Sequence, residues 1–112
     1  MIDACQFNIR DETGRLLCPA CGYPDFADDP AYDERGGVIG ITICPCCLWE
    51  PGFDDDKHAS AEARETIIGS LQAYRAAWGP VLLWRGRDAE KPSGWDGQQQ
   101  LRRLFELAPH VR

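Results

Sequence analysis

The chain has no long hydrophobic run, and its longest continuous apolar stretch is only Val81–Trp84. A helix needs roughly 20 apolar residues to cross a bilayer, so the sequence excludes a membrane-spanning helix. The N-terminal segment MIDACQFNIRDE carries acids and has no apolar centre, so we expect no secretory signal and a cytoplasmic location.

The sequence also has little of what catalysis usually requires. Its two histidines, His58 and His110, stand alone, and it lacks both glycine-rich phosphate-binding motifs and a Ser/His/Asp arrangement. The acids at 54–56 do not follow the pattern of a calcium-binding loop. We therefore expect a protein that is not an enzyme.

Basic residues are scarce in one half of the chain. Residues 1–56 hold 12 acids and 3 bases, whereas residues 57–112 hold 6 acids and 9 bases. The net charge of −6 therefore divides into −9 and +3. An acidic half repels phosphate backbones and favours a basic protein surface.

Cysteine, by contrast, is abundant, with six residues in 112. Two C-x-x-C motifs, Cys18–Cys21 and Cys44–Cys47, are separated by 22 residues. Each motif directs two sulfurs at one point, and two motifs complete the tetrahedron that zinc prefers. We predict one structural Zn²⁺ bound by Cys18, Cys21, Cys44 and Cys47, a site typically worth about 10 to 16 kcal/mol of folding free energy.

Other uses of these cysteines fit the sequence less well. A thioredoxin-like redox pair requires its C-x-x-C between a strand and a helix, whereas both motifs here precede irregular chain. Disulfides require an oxidising compartment, which the N-terminal segment does not indicate. The fourth ligand stays open between Cys46 and Cys47, although C-x-x-C spacing favours Cys47.

Local patterns predict a small α+β domain. Residues 6–19 contain a turn cluster typical of a hairpin, residues 22–37 form a loop rich in Pro, Gly and acids, and the β-branched run 38–43 predicts a strand. Ser60 is a suitable N-cap for a helix over 61–78.

The apolar positions of this helix follow helical spacing at Ile67, Ile68, Leu71, Tyr74 and Trp78. A second helix is expected over 97–108, capped by Asp96. Its buried side is expected to comprise Leu101, Leu104, Phe105 and Leu107. The prediction is a single domain, 1–112, with a four-cysteine zinc-ribbon β core in 1–56 and two amphipathic helices from 57–112 packed on it.

The segments LCPACGY, 17–23, and ICPCCLWE, 43–50, together with the following acids and helix, resemble the bacterial cysteine-rich CPCC family. The resemblance covers about residues 16–78. It implies zinc-ligand roles for Cys18, Cys21, Cys44 and Cys47, with Cys46 at a variable position of the motif. It implies a fold and a metal but no activity.

Charge and motif together favour a zinc-binding module that binds another protein. The expected partner is a basic protein, plausibly a toxin that this chain neutralises as an immunity protein. The residues expected at the partner surface are Trp49, Glu50, Asp54, Asp55 and Asp56. One alternative is a zinc ribbon that binds nucleic acid near Trp84 and Trp95, through Arg75, Arg85, Arg87, Lys91, Arg102 and Arg103. Another is an accessory subunit of a larger complex.

Overall fold

Two helices and one small antiparallel sheet are the regular structure of the residues that this computed structural model describes, which are 4–32, 42–51, 67–78 and 80–112. The elements in chain order are β1 (Ile9–Arg10), β2 (Leu16–Leu17), α1 (Ile67–Ala76) and α2 (Gly97–Leu107), with short 3-10 turns at Ala4–Phe7, Asp88–Glu90 and Pro109–Val111. This mixture confirms the α+β class. Neither helix in these ranges has the length and apolar character needed to cross a membrane.

The predicted hairpin is present at the start of the chain. Ile9 lies opposite Leu17 and Arg10 opposite Leu16 in an antiparallel pair. The turn between them is closed by the Gly14 amide, which donates to the Asp11 carbonyl at 3.0 Å. The hairpin leads directly into Cys18 and thereby fixes where the first C-x-x-C motif begins.

The strand predicted over 38–43 is not seen where the structure describes that segment. Residues 38–41 lie outside the described ranges, and Thr42 and Ile43 belong to no strand. Ile43 is 52% exposed, so its β-branched side chain is not part of a buried sheet face. Among the described residues, β1 pairs with β2, Leu17 forms an isolated bridge with Pro24, and Tyr32 also takes part in a β-bridge. The described residues thus show a small antiparallel sheet, and the zinc-ribbon β core stays a prediction.

Helix α1 lies within the predicted helix 61–78, and its described part ends at Ala76. Residues 61–66 and the expected cap Ser60 lie outside the described ranges. The apolar stripe is confirmed: Leu71 is fully buried, and the other four members pack against the core. One face of α1 is thus fixed against the cysteine-containing part of the chain.

Helix α2 begins as the sequence predicts, with the Asp96 carboxylate accepting hydrogen bonds from the amides of Gln98 and Gln99. Leu104 is fully buried, and Leu101 and Phe105 pack against the core. The expectation that Leu107 is buried is wrong, because it is 43% exposed at the end of the helix. The 3-10 turn that follows places Val111 in the core.

Candidate metal centre

The two C-x-x-C motifs fold into turns with the same backbone hydrogen bonds. In each turn the amide of the first cysteine donates to the carbonyl five residues later, and its carbonyl accepts from the amide four residues later. The pairs are Cys18 N to Tyr23 O at 3.1 Å, Gly22 N to Cys18 O at 2.7 Å, Cys44 N to Trp49 O at 2.9 Å and Leu48 N to Cys44 O at 2.9 Å. We name them the first CxxC turn, Cys18–Cys21, and the second CxxC turn, Cys44–Cys47.

These turns bring four sulfurs to one point. The Sγ atoms of Cys18, Cys21, Cys44 and Cys47 all lie within 4.8 Å of one another. The Cys18 and Cys47 sulfurs are 3.7 Å apart, and the Cys21 and Cys44 sulfurs are 3.6 Å apart. All four residues have no exposed surface. The spacing of the motifs in the sequence therefore corresponds to a real cluster in space.

The separation of the sulfurs fits a tetrahedral metal site. A metal ion bound to four thiolates at about 2.3 Å requires neighbouring sulfurs about 3.8 Å apart. The measured 3.6 and 3.7 Å agree with that edge length. Both are far longer than the roughly 2.05 Å of a disulfide bond, and the cysteines are free thiols. The four side chains are therefore close enough together to be ligands of one ion.

The pKa shifts of the four cysteines also indicate that their thiolate forms need a nearby positive charge. Burial raises the pKa of the thiols of Cys18, Cys21 and Cys47. Burial also acts to raise the pKa of Cys44, but hydrogen bonds from the Cys18, Cys21 and Cys47 thiols outweigh it and lower that pKa overall. One thiolate is thus stabilised by its neighbours, and further thiolates need a compensating positive charge, which a divalent ion supplies.

Cys46 is buried beside the cluster but is not one of its members. Its side chain has no exposed surface, and its sulfur accepts a hydrogen bond of 3.5 Å from the Gln100 amide nitrogen. The structure places Cys47, and not Cys46, within the group of four sulfurs. The geometry therefore favours Cys47 as the fourth ligand.

Helix α1 contacts both CxxC turns through two consecutive residues. The Tyr74 hydroxyl donates to the Cys47 carbonyl at 2.6 Å, in the second turn. The Arg75 guanidinium donates to the carbonyls of Ala20 and Pro19, at 2.8 and 2.6 Å, in the first turn. One helix thus fixes the two halves of the cluster relative to each other.

The C-terminal segment holds the turns from the other side. The Arg85 amide donates to the Cys46 carbonyl at 2.8 Å, and the Gln100 side chain donates to the Cys21 carbonyl at 3.1 Å. Gly86 lies so close to the Pro45 carbonyl that a side chain there would collide with it. Residues 80–112 therefore help to enclose the cluster.

Of the residues expected at a partner surface, the structure describes Trp49 and Glu50, and neither is fully exposed. Trp49 has no exposed surface and packs edge-on against Tyr74, with ring centroids 5.0 Å apart, so its assignment to an exposed surface is wrong. A large aromatic side chain beside a tight turn gains more from burial than from exposure. Glu50 is half-buried. The acids Asp54, Asp55 and Asp56 lie outside the described residues.

Sequence reasoning missed the side chains that hold the turns. Tyr74 was expected only as part of an apolar stripe, Arg75 only as one of several cations, and Gln100 had no expected role. These contacts join residues 27, 55 and 79 positions apart. No spacing rule within one sequence connects such distant positions.

Comparison with known proteins adds a partial relative. No protein-family model matches the chain, and no solved structure matches it. The chain is 31% identical over 65 residues to the uncharacterized protein YozI of Bacillus subtilis (strain 168). The match covers 54% of this chain and 54% of that protein, so the chain spans about half the length of the curated relative. The relative's description names no activity.

Proposed function

We propose that Cys18, Cys21, Cys44 and Cys47 bind one structural Zn²⁺ ion. The observation that carries this proposal is the buried cluster of four sulfurs with separations of 3.6 and 3.7 Å across it. Tetrahedral four-sulfur sites suit zinc or iron, and zinc is the ion typical of purely structural sites. On this proposal the ion links the hairpin and both helices into one zinc-ribbon-like domain.

The proposal assigns the metal no catalytic step. Four thiolates fill the four coordination positions of the ion, so no position remains for water or substrate. The ion would instead stabilise the fold, with a binding free energy on the order of 10 kcal/mol. The same motifs support membership of the CPCC family, through C-P-x-C-G-Y at 18–23 and C-P-x-C-x-W-E at 44–50.

Metal analysis of the purified full chain tests this proposal. We expect one zinc ion per chain, and we expect a strong chelator to abolish cooperative unfolding. Cys18→Ser should lose both the metal and the fold, because three thiolates leave the tetrahedron incomplete. Stoichiometric iron would correct the identity of the ion. A chain without metal that still unfolds cooperatively would overturn the site itself.

For the biological role, we propose a non-enzymatic module that binds a basic protein partner. The support is the net charge of −9 in residues 1–56. Four thiolates with one Zn²⁺ would add about −2. Glu12, Asp25, Asp28 and Asp29 are exposed in the described part of this half. Acidic surfaces accelerate association with basic proteins, as an immunity protein requires for a basic toxin.

Capture and rescue experiments test the partner proposal. Immobilised zinc-loaded chain should retain a basic protein from its native cell, and retention should weaken steeply as salt rises. Co-expression with that partner should relieve any toxicity the partner has. A variant in which Asp54, Asp55 and Asp56 become Asn tests the acidic turn and should weaken capture. Capture that is unaffected by salt and by this variant would overturn the acidic-surface proposal.

A nucleic-acid-binding role is the weaker candidate. Arg75 binds backbone carbonyls, and Arg103 pairs with Glu12. Trp84 and Trp95 pack edge-on against each other at 5.5 Å and are half-buried, which leaves less ring face for bases to stack on. A mobility-shift assay with single- and double-stranded probes should show no binding at physiological salt. Salt-sensitive binding in that assay would favour this role instead.

A further inference from the structure

Arg75 holds a fixed position beneath the first CxxC turn. Its Nε atom donates to the Ala20 carbonyl at 2.8 Å, and one terminal nitrogen donates to the Pro19 carbonyl at 2.6 Å. The Phe105 ring covers the guanidinium, with its centroid 4.8 Å away. The two carbonyls belong to the residues between the ligands Cys18 and Cys21. The cation is therefore oriented by the same turn that presents two of the sulfurs.

The hydrogen bonds of Arg75 do not neutralise its charge. Both carbonyl acceptors are neutral, and within the described ranges the side-chain ion pairs are Arg15 with Asp11 and Arg103 with Glu12. A partly buried cation without a carboxylate is costly unless another negative charge lies near. The cysteines of the adjacent CxxC turn can supply that charge when they are thiolates.

The pKa of Arg75 reflects two opposing effects, which are the burial of the guanidinium and the negative charge of nearby thiolates. Burial lowers it to about 10, while Cys18, Cys21 and Cys47 in their thiolate form act to raise it. Arg75 thus stays protonated at neutral pH, and its electrostatic partners are three of the four sulfurs. Helix α1 therefore brings one permanent positive charge to the cluster.

We propose that Arg75 is the charge-compensating residue of the four-cysteine site and slows the release of its metal ion. This inference rests on the proposed zinc site. A zinc ion with four thiolates carries a net charge of about −2, and an adjacent guanidinium offsets part of it. A guanidinium held beside the first CxxC turn attracts the negative metal–thiolate cluster, which favours the closed turn over an opened one from which the ion leaves.

The rate at which zinc passes from the loaded full chain to an excess of a coloured chelator tests this role. We expect Arg75→Gln to release zinc about tenfold faster than the unmodified chain, which corresponds to about 1.4 kcal/mol. Arg75→Lys keeps the charge and should stay within about threefold of the unmodified chain.

Two matched variants separate charge from packing. Arg112 also lies over the Phe105 ring, at 5.8 Å, so Arg112→Gln removes a second arginine from the same ring and should leave release unchanged. Gln100→Ala removes a neutral hydrogen bond to the Cys21 carbonyl of the same turn. It should accelerate release less than Arg75→Gln does.

The outcomes are distinguishable. If the unmodified chain binds no zinc, the proposed function fails, and the inference fails with it. If the chain binds zinc but Arg75→Gln releases it at the unmodified rate, only the Arg75 inference fails. Should Arg75→Gln not fold, Arg75→Lys decides alone, because release tenfold or more faster from a folded Lys variant would show that geometry, and not charge, is what Arg75 supplies.

Discussion

Leu48 occupies in the second CxxC turn the left-handed backbone position that Gly22 occupies in the first. The two residues have φ values of +68° and +83°. Each directly follows the second cysteine of its motif, and each donates its amide to the carbonyl of the first cysteine. The turn geometry therefore requires a positive φ at this position whichever residue is present. Glycine adopts it freely, whereas leucine adopts it at a cost.

Leu48→Gly should therefore be tolerated or slightly stabilising. Relief of the left-handed strain contributes about 1 to 2 kcal/mol, and the greater freedom of glycine in the unfolded chain removes about 0.4 to 1 kcal/mol. The leucine side chain is 45% exposed, so the apolar burial that is lost with it is partial and offsets part of this gain. Urea unfolding in the presence of zinc should show a free energy of unfolding equal to or up to about 1 kcal/mol above that of the unmodified chain.

Gly22→Ala is the matched control, and it should destabilise strongly. A Cβ atom at Gly22 would lie 2.8 Å from the Leu104 Cβ and 2.9 Å from the Gln100 carbonyl oxygen. Strain and overpacking together should lower the free energy of unfolding by about 2 to 4 kcal/mol. Equal losses from Leu48→Gly and Gly22→Ala would contradict the idea that backbone conformation governs this position.

Substitution of two neighbouring cysteines should have opposite effects on metal content. Cys47→Ala removes a sulfur that lies 3.7 Å from the Cys18 sulfur and should abolish stoichiometric zinc binding. Cys46→Ala removes a buried sulfur outside the group of four and should retain one zinc ion, with a loss of about 1 kcal/mol in stability. Elemental analysis of both variants measures this. Zinc retained by Cys47→Ala and lost from Cys46→Ala would reverse the ligand assignment.

The hydroxyl of Tyr74 should contribute measurably to stability. Tyr74→Phe removes the hydrogen bond of 2.6 Å to the Cys47 carbonyl but keeps the ring that packs against Trp49. We expect the free energy of unfolding of the zinc-loaded chain to fall by about 1 to 2 kcal/mol, because a buried carbonyl loses a donor. Tyr23→Phe, at a half-buried tyrosine, is the control and should change stability less. A larger loss of unfolding free energy from Tyr23→Phe would show that the Tyr74 hydrogen bond between α1 and the second CxxC turn does not contribute as proposed.

The parts of this molecule that sequence predicts are those encoded by neighbouring residues. The C-x-x-C spacing identified the four clustered sulfurs, helical periodicity identified the buried face of α1, and Asp96 marked the start of α2. Each signal depends on residues within one turn or one helix, where local geometry is nearly independent of the rest of the fold.

What sequence does not predict depends on contacts between distant segments. Trp49 is buried because α1 brings Tyr74 against it, a contact that no local pattern contains. The carbonyls that orient Arg75 lie 55 and 56 positions earlier in the chain. The β-branched run ending at Ile43 predicts a strand, but at its end the chain enters the hydrogen bonds of the second CxxC turn. At Thr42 and Ile43, the described end of this run, the chain leads into that turn and pairs with no strand.

The Asp11 carboxylate should stabilise the hairpin over a defined pH range. It accepts hydrogen bonds from the side chain and amide of Thr13 and from the amide and guanidinium of Arg15. Chiefly through the Thr13 hydroxyl, these bonds lower the pKa of Asp11 well below its ordinary value of 3.8. A lowered pKa means that the stabilisation is fully present above pH 3.8 and is lost as the pH falls further.

Asp11→Asn should therefore destabilise the chain by the same amount at pH 7 and at pH 5, since both values lie above the ordinary pKa of the carboxyl group. Urea unfolding of the unmodified chain and of Asp11→Asn at each pH, in excess zinc, measures the difference between their free energies of unfolding. Any pH-dependent loss of metal affects the two proteins alike. Asp28→Asn changes an exposed acid and is the control. A difference no larger than that of Asp28→Asn, or one that grows from pH 7 to pH 5, would show that the hydrogen bonds do not favour the charged form of Asp11.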